Sequence, residues 1–397
     1  MTRQLQDAYI VSAMRTAVGK AKGAFRNTRP DDLLSTVLNA AMAKVPTIPK
    51  AIVEDVIIGC AMPEGEQGMN VARIATLLAG FPDSVPAQTI NRFCSSGLQA
   101  ISMASDQIAQ GLADVVIAGG VESMSMVPLG GHSFSANPRF FEQEHIGIAY
   151  GMGITAEKVA NQWQITRQMQ DEFALLSHQK ALSAIEKGKF VEEIVPMPVQ
   201  SAVADLKTLN IINGTQLIQQ DQGPRADTNL EALSKLRSAF ALKGTVTAGN
   251  SSQMSDGAAA LVLVSKKMVD KYDLRPLAKF CGFSVAGVKP EIMGIGPIAA
   301  IPKVLNRLEL TLKDIGWIEL NEAFAAQSLA VIKELGIDAN RVNPQGGAIA
   351  LGHPLGATGA ILATKLLYGA RQKQIKYGMV TMCIGTGMGA AGVFELL

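Results

Sequence analysis

Three short apolar runs lie against glycines in this chain: DVVIAGG at 114–120, AAALVLVS at 258–265 and MVTMCIGTG at 379–387. None alternates apolar with polar residues, so each is expected to be a strand covered on both faces. Helical patterns lie between them; Leu33, Leu34, Val37, Leu38, Ala41 and Met42 recur every three or four residues. Strands of this kind alternating with amphipathic helices define an α/β fold.

The order of parts repeats. Near the front come a helix over 31–44, a strand ending at Cys60, a loop and helix opening at Cys94, and a strand closing in GGVES. Near the back come a helix around IPKVLNRL, a strand ending in WIELNEAF, a loop and helix opening at His353, and a strand closing in CIGTG. The two ends read as distant repeats: a first lobe over residues 1–120, completed by 249–272, and a second over 273–397. Residues 121–248 break the order with early proline and glycine, long amphipathic helices and the polar stretch DQGPRADTNLEALSKL, so they read as an inserted lid or substrate-binding subdomain. If both lobes are doubly wound sheets, Cys94, Asn321, His353 and Cys383 all fall where strands end and helices begin. Open α/β sheets bind their ligands there.

Charge narrows the partner. Lysine and arginine total 36 against 34 acidic residues, so no broad basic field recruits nucleic acid or a membrane, and an anionic small molecule must be held by a few local cations. Four cysteines, Cys60, Cys94, Cys281 and Cys383, stand far apart without a CxxC pair, which argues against a disulfide framework and against a structural metal site. The start, MTRQLQDAYIVSAMRT, reads as a first strand rather than a targeting segment, and no apolar run approaches the roughly 18 residues of a membrane span. A cytoplasmic protein is expected.

In NRFCSSGLQA, Cys94 is placed at a helix start, where the macrodipole is expected to favour the thiolate. The serines can cap that helix, Gly97 allows close packing against a neighbour, and the first backbone amides can hold an oxyanion. An isolated cysteine is most often a small buried hydrophobe, but this setting is that of a nucleophile. His353, in the glycine-rich GHPLGATG, is the natural base for it; His132, His145 and His178 are read as structural. NEAFAAQ offers Asn321 and Glu322 directly after a strand. Gly387, Gly389 and Gly392 match a GxGxxG fingerprint, yet only five residues follow, too few for a dinucleotide-binding unit, so a dehydrogenase is rejected. Glycines around Cys383 suggest backbone lying close to a ligand, with a second thiol available for proton transfer; Cys60 and Cys281 are assigned to the core.

Taken together, NRFCSSGLQA, GGVESMS, GPRADTNLEAL, TVTAGNSSQMSDGAAA, NEAFAAQ, GGAIALGHPLGATGA and CIGTGMGAA closely resemble the thiolase family, specifically its 3-ketoacyl-CoA branch. The resemblance runs through nearly the whole chain in order. It implies two similar βαβαβαββ halves packed as a layered α/β sandwich, with a loop domain inserted in the first and covering the CoA site. It implies Cys94 as the acylated nucleophile, His353 as its base and Cys383 as the second acid/base. Asn321 would hold a water that shares one oxyanion hole with His353, and the amides of Cys94 and Gly385 would form the other. Arg225 and Ser252 would hold the CoA nucleotide and pantetheine, with Met152, Ala323 and Phe324 lining the channel. Acyl-CoA and CoA would be the partners, CoA being a substrate, with no metal or other cofactor and a homodimer or homotetramer as the assembly.

One departure bears on substrate. Where the acetoacetyl-CoA branch commonly has a histidine just before the methionine of MGxTAE, this chain has Gly151. That favours the degradative, broader-chain branch of fatty-acid β-oxidation over acetoacetyl-CoA thiolase working towards condensation, which stays open. A decarboxylating ketoacyl synthase has histidine or asparagine where this chain has Cys383. A catalytically silent acyl-CoA-binding protein would be expected to have lost Cys94, His353, Asn321 or Cys383.

Overall fold

The structure, a computed structural model, describes residues 5–205 and 210–397. Residues 1–4 and 206–209, which fall in the first lobe and the insertion as delimited above, lie outside the described residues. In chain order the first part supplies β1 (Ala8–Arg15), β2 (Gly19–Lys20), α1 (Pro30–Ala43), β3 (Asp55–Gly59), α2 (Val71–Leu78), β4 (Ala87–Ile90), α3 (Ser96–Ala109) and β5 (Val115–Ser123). After β5 come α4 (Met152–Gln162), α5 (Arg167–Glu186), β6 (Met197–Asp205), β7 (Asn210–Ile218) and α6 (Leu230–Ser234). The chain re-enters the sheet with β8 (Ser255–Ser265), followed by α7 (Lys266–Lys271). The last part supplies β9 (Ala278–Gly287), α8 (Gly296–Arg307), β10 (Ile315–Leu320), α9 (Ala325–Leu335), α10 (Ala348–Leu351), α11 (Leu355–Arg371), β11 (Tyr377–Ile384) and β12 (Met388–Leu396).

Among the described residues the two ends are structural repeats as well. One half of the main sheet runs β4–β3–β5–β8–β1, parallel up to β5 and antiparallel beyond it; the other runs β10–β11–β12–β9 with the same change of direction after β11. A parallel bridge from Ile318 to Val342 stands where β4 stands in the first half. The sequence suggested two sheets; instead they join, because Tyr9 and Ile10 of β1 pair with Lys279 and Ala278 of β9, each edge covering the other's unpaired backbone groups.

Burial on both faces of the strands follows from three helical layers. All eleven residues of β8 are buried. Ala258, Ala260, Val262 and Val264 face the layer of α1 and α2, while Ala259, Leu261 and Leu263 face α3 and α11. On the second half, α8 and α9 cover the outer face through Ile301, Val304, Leu305 and Val331. The order is therefore helix, sheet, helix, sheet, helix, with α3 and α11 at the centre.

The residues between β5 and β8 are pinned to this body by Arg15, whose Nε donates to Glu193 at 2.7 Å and whose Nη1 donates to Asp221 at 2.8 Å, all three buried. Asp221 also accepts from the amide of Val18. Removing one member would strand a buried charge. Residues 197–205 and 210–218 form the antiparallel pair β6–β7, which the sequence did not suggest, since these stretches lack the glycine-bounded apolar runs of the main strands.

Glycines let the central helices meet. A Cβ on Gly97 would stand 2.7 Å from the Ala360 nitrogen, and one on Gly359 would stand 2.3 Å from the Leu98 nitrogen. The obstacle is backbone, which cannot swing away as a flexible side chain can. Gly97→Ala is therefore expected to lower stability in urea by about 1–3 kcal/mol through overpacking. Gly287→Ala, whose added methyl meets nothing within 4 Å, should leave the midpoint unchanged; equal midpoints for both variants would contradict this account of the crossing.

Candidate active site

Cys94 lies in a 3-10 turn, Phe93–Ser95, just ahead of α3 rather than inside its first turn. Local bonds hold that turn. Asn91 Oδ1 accepts from the Phe93 amide at 2.8 Å, and Ser96 Oγ accepts from the Arg92 amide at 2.8 Å while donating to the Phe93 carbonyl at 2.6 Å. Phe93 adopts φ of +45°, a conformation that strains a bulky residue and that these bonds help to impose. The serines thus act differently from the expected cap: Ser95, at the N-cap position, makes no side-chain cap bond, and Ser96 fastens the turn instead.

The thiolate expected from the helix start is not the resting form. Burial pushes the Cys94 thiol up to about 11; the amides of Gly385 and of Cys94 itself oppose this, and the buried Glu122 carboxylate adds to it. Desolvation of the charged form outweighs the nearby dipoles. Cys94 keeps some solvent contact, but its sulfur is a neutral thiol at pH 7. Cys383, at the end of β11, is raised further by burial, with the Cys94 sulfur adding to the shift. Its thiol donates to Gln327 Oε1 at 3.8 Å. The Cys94 turn packs on the end of β11 and on α11, so both thiols and the Gly385 amide share one site.

Gly385 and Gly387 belong to the turn that folds β11 back onto β12, with Ile384 opposite Met388. Gly387 takes φ of +92°, and a Cβ there would stand 2.4 Å from the Val288 carbonyl. The three glycines of the GxGxxG match therefore serve a hairpin, not a strand-to-helix phosphate loop.

His353 lies between α10 and α11 and is buried. Its amide is fixed by the Gln253 carbonyl and by Ser255 Oγ, both at 3.1 Å. Nε2 faces Asn321 Nδ2 at 3.3 Å and Nδ1 faces Thr358 Oγ1 at 2.6 Å. Burial holds the imidazole down at about 4, so it is neutral at pH 7. Among the described residues no hydrogen bond joins Cys94 to His353; bonds of this kind commonly tighten only in a substrate complex. Of the two polar residues after β10, only Asn321 turns towards His353, its Oδ1 buried without a protein partner. Glu322 points into a separate buried network with Ser177 at 2.6 Å, Asn343 at 2.7 Å and the Ile349 amide at 3.2 Å.

Met152, Ala323, Phe324 and Cys383 share one apolar cluster. Ser252 joins it through its amide, which donates to the Ala323 carbonyl at 2.9 Å. Met152 Sδ lies 3.7 Å from where a Cβ on Gly385 would be. Arg225 is apart from these, exposed on a loop, its guanidinium paired with Asp227 at 2.9 Å. The loop is tied inward through the Arg225 amide, which donates to the buried His178 Nδ1 at 3.1 Å.

Comparison with known proteins fits this arrangement. Residues 8–267 match the thiolase N-terminal domain and residues 274–396 the thiolase C-terminal domain. The chain belongs to the thiolase family. It is 50% identical over 394 residues to a 3-ketoacyl-CoA thiolase of Bacillus subtilis (strain 168), covering 99% of this chain and 100% of that one. It is 43% identical over 408 residues to a beta-ketoadipyl-CoA thiolase of Pseudomonas putida, covering 98% and 100%. A crystal structure of the Bacillus anthracis acetyl-CoA acetyltransferase matches with a TM-score of 0.89 at 39% identity, covering all of both chains. One of human mitochondrial 3-ketoacyl-CoA thiolase matches at 0.88 and 35%, covering 99% of each.

As a thiolase the chain is an acyltransferase acting on CoA thioesters. Among its described residues no helix is long and apolar enough to cross a membrane. Two residues at the thiolase site were not singled out from the sequence, Thr358 on His353 and Gln327 on Cys383. Both lie within quoted motifs, Thr358 five residues after His353 and Gln327 three after Phe324, and only the helical turn shows them reaching the site. Cavity size would not have found it either: a groove of about 710 Å³ between α3 and β9 contains none of these residues.

The buried imidazole gives this thiolase an acid sensitivity of known sign. Unfolded, His353 binds a proton as pH falls below its ordinary value of 6.5; folded, it does so only near 4. Its contribution to stability is complete above pH 6.5 and is lost progressively down to pH 4, on the order of 3 kcal/mol in all. Urea unfolding at pH 7.5 and 4.5 should show the wild type losing about 2–3 kcal/mol more than His353→Gln over that interval. Equal losses would mean that the imidazole is not held neutral.

Proposed function

We propose that this thiolase cleaves 3-ketoacyl-CoA with CoA, giving acetyl-CoA and an acyl-CoA shortened by two carbons, as in fatty-acid β-oxidation. The supporting observation is the meeting of two neutral thiols, Cys94 and Cys383, with the Gly385 amide directed at the Cys94 sulfur. Carbon–carbon cleavage of a 3-keto thioester needs a soft nucleophile for the keto carbon and an acid for the departing carbanion. Two thiols meet both needs.

In this reading the Cys94 proton passes to His353 Nε2 as the sulfur bonds to the keto carbon. The amides of Cys94 and Gly385 hold one developing oxyanion, and His353 with an Asn321-bound water holds the other. The bond between C2 and C3 breaks, and Cys383 gives its proton to C2 of the acetyl-CoA enolate. The Cys383 thiolate then takes the proton of free CoA, whose sulfur attacks the acyl group, and Cys94 recovers its proton from His353. Since neither Cys94 nor His353 rests charged, their proton transfer accompanies attack rather than preceding it. CoA enters as a substrate, and no resident cofactor or metal has a part. Residues 121–248 act as the loop domain over the CoA site, Arg225 and Ser252 hold the nucleotide and pantetheine, and Met152, Ala323 and Phe324 line the channel. A cytoplasmic homodimer or homotetramer completes the proposal.

Mass spectrometry after incubation with acyl-CoA is expected to find the acyl group on Cys94. Cys383→Ala should still be acylated yet turn over about 10²- to 10⁴-fold more slowly, because only its proton transfer is lost. An adduct on Cys383 with Cys94 free, or near-wild-type turnover in Cys383→Ala, would overturn the two roles.

Chain length separates the degradative reading from condensation of acetyl-CoA, the chemistry suggested by the acetyl-CoA acetyltransferase among the structural relatives. Gly151 precedes α4, and a Cβ there would meet nothing within 4 Å. With that space, 3-ketoacyl-CoAs longer than acetoacetyl-CoA should be cleaved with higher kcat/KM, each buried methylene contributing up to about 0.8 kcal/mol. Gly151→His should move the preference back to four carbons. A wild type that prefers acetoacetyl-CoA and rejects six- to ten-carbon substrates would favour the condensing reading, and one that prefers 3-oxoadipyl-CoA would align it with the beta-ketoadipyl-CoA relatives.

A further inference from the structure

The neutral imidazole of His353 carries a single ring proton, and the nitrogen that holds it decides whether the ring can act as a base towards Cys94. Three contacts bear on the choice. Nδ1 lies 2.6 Å from Thr358 Oγ1; that hydroxyl donates to the Pro354 carbonyl at 3.1 Å; and Asn321 Nδ2 lies 3.3 Å from Nε2. A hydroxyl has one hydrogen, and with that hydrogen on Pro354 it turns only lone pairs towards the ring, so Nδ1 must bring the proton. On the other side an amide nitrogen can only donate, so Nε2 must accept. Two contacts from different elements, α11 and the end of β10, require the same tautomer.

We propose that Thr358 is a positioning residue for acylation, holding His353 with its proton on Nδ1 so that Nε2 is the unprotonated nitrogen that takes the Cys94 proton. The inference rests on the thiolysis reading given above. It follows from helix geometry: Thr358 is in the first turn of α11, and a threonine hydroxyl there folds back on the carbonyl four residues earlier, which is Pro354, immediately after His353. The stiff, β-branched side chain fixes Oγ1 beneath the ring. Once Nε2 is protonated the Asn321 amide must release that nitrogen, but nothing on the Thr358 side has to rearrange. Nδ1–H still donates to Oγ1, and the hydroxyl hydrogen still points at Pro354. The cation that burial disfavours therefore finds an acceptor already oriented.

Two measurements test this. In the full chain labelled with 15N-histidine, long-range proton–nitrogen correlation spectra should show His353 with a protonated Nδ1 and a bare Nε2, its signals being those that vanish in His353→Gln. The reverse assignment overturns the proposal. No substrate is needed for this reading, so it stands apart from the thiolysis proposal, which fails instead if no CoA thioester acylates the protein. In single-turnover acylation, Thr358→Val, which keeps the shape and removes the acceptor, should be slowed about 10- to 100-fold with a mixed tautomer signal and little change in KM. Thr358→Ser should restore both rate and signal to within a few-fold. A valine variant with wild-type rate and tautomer overturns the role. Should it not fold, Thr358→Ala takes its place under the same criteria.

Discussion

The site depends on how closely α3 and α11 approach. Gly97 and Gly359 lie against the backbone of the opposite helix, with no space for even a methyl group. Gly120 and Gly356 extend the same contact: a Cβ on Gly120 would stand 2.4 Å from the Gly356 carbonyl, and one on Gly356 would stand 2.6 Å from the Ala61 nitrogen. Because the turn of Cys94 leads into one helix and the turn of His353 leads into the other, this spacing sets how near the proposed nucleophile and base can come. A side chain at any of these positions would separate two halves that are otherwise joined along β1 and β9.

Burial at that crossing has an electrostatic consequence. Cys94, Cys383 and His353 are all displaced towards their neutral forms, the thiols upward and the imidazole downward, with desolvation the largest cause each time. Glu122 lies in the same region, fully buried and likewise raised by desolvation, accepting from the amides of Ala61 and Gly356. The apolar surroundings that make helix packing stable thus oppose a resting thiolate. In the proposed reaction the same low-dielectric surroundings would strengthen the Cys94 and Gly385 amides acting on a substrate oxygen.

Much of this was legible in sequence because glycine and continuous apolar runs report backbone constraints directly. The alternation of strands and helices, the repeat of the two halves and the proximity of strand ends to Cys94, Asn321, His353 and Cys383 all rest on period and punctuation. The antiparallel pair β6–β7 was not legible, having neither signal. The resting state of Cys94 was misread for a physical reason: a helix start is visible as a motif, whereas desolvation depends on packing against elements distant in sequence, here α11 and β11. The residues alone left Asn321 and Glu322 both open, and the resemblance chose Asn321; in the structure the two diverge, one towards His353 and one towards Ser177 and Asn343.

The loop that carries Arg225 is tied to the segment that holds His353. Gln253 Nε2 reaches the carbonyls of Gly223, Ile349 and Ala350 at 3.1, 3.2 and 3.3 Å, while its own carbonyl accepts from the His353 amide at 3.1 Å. Gly223 lies so tightly against α10 that a Cβ would stand 2.0 Å from the Ala350 carbonyl. The next residue after Gln253 but one, Ser255, holds the same His353 amide and begins β8. One short segment therefore ties the Arg225 loop, the helix before His353 and a fully buried strand into a single unit. The segment is anchored by the buried strand β8, so the position of the His353 amide is set by the sheet and not by the exposed Arg225–Asp227 pair.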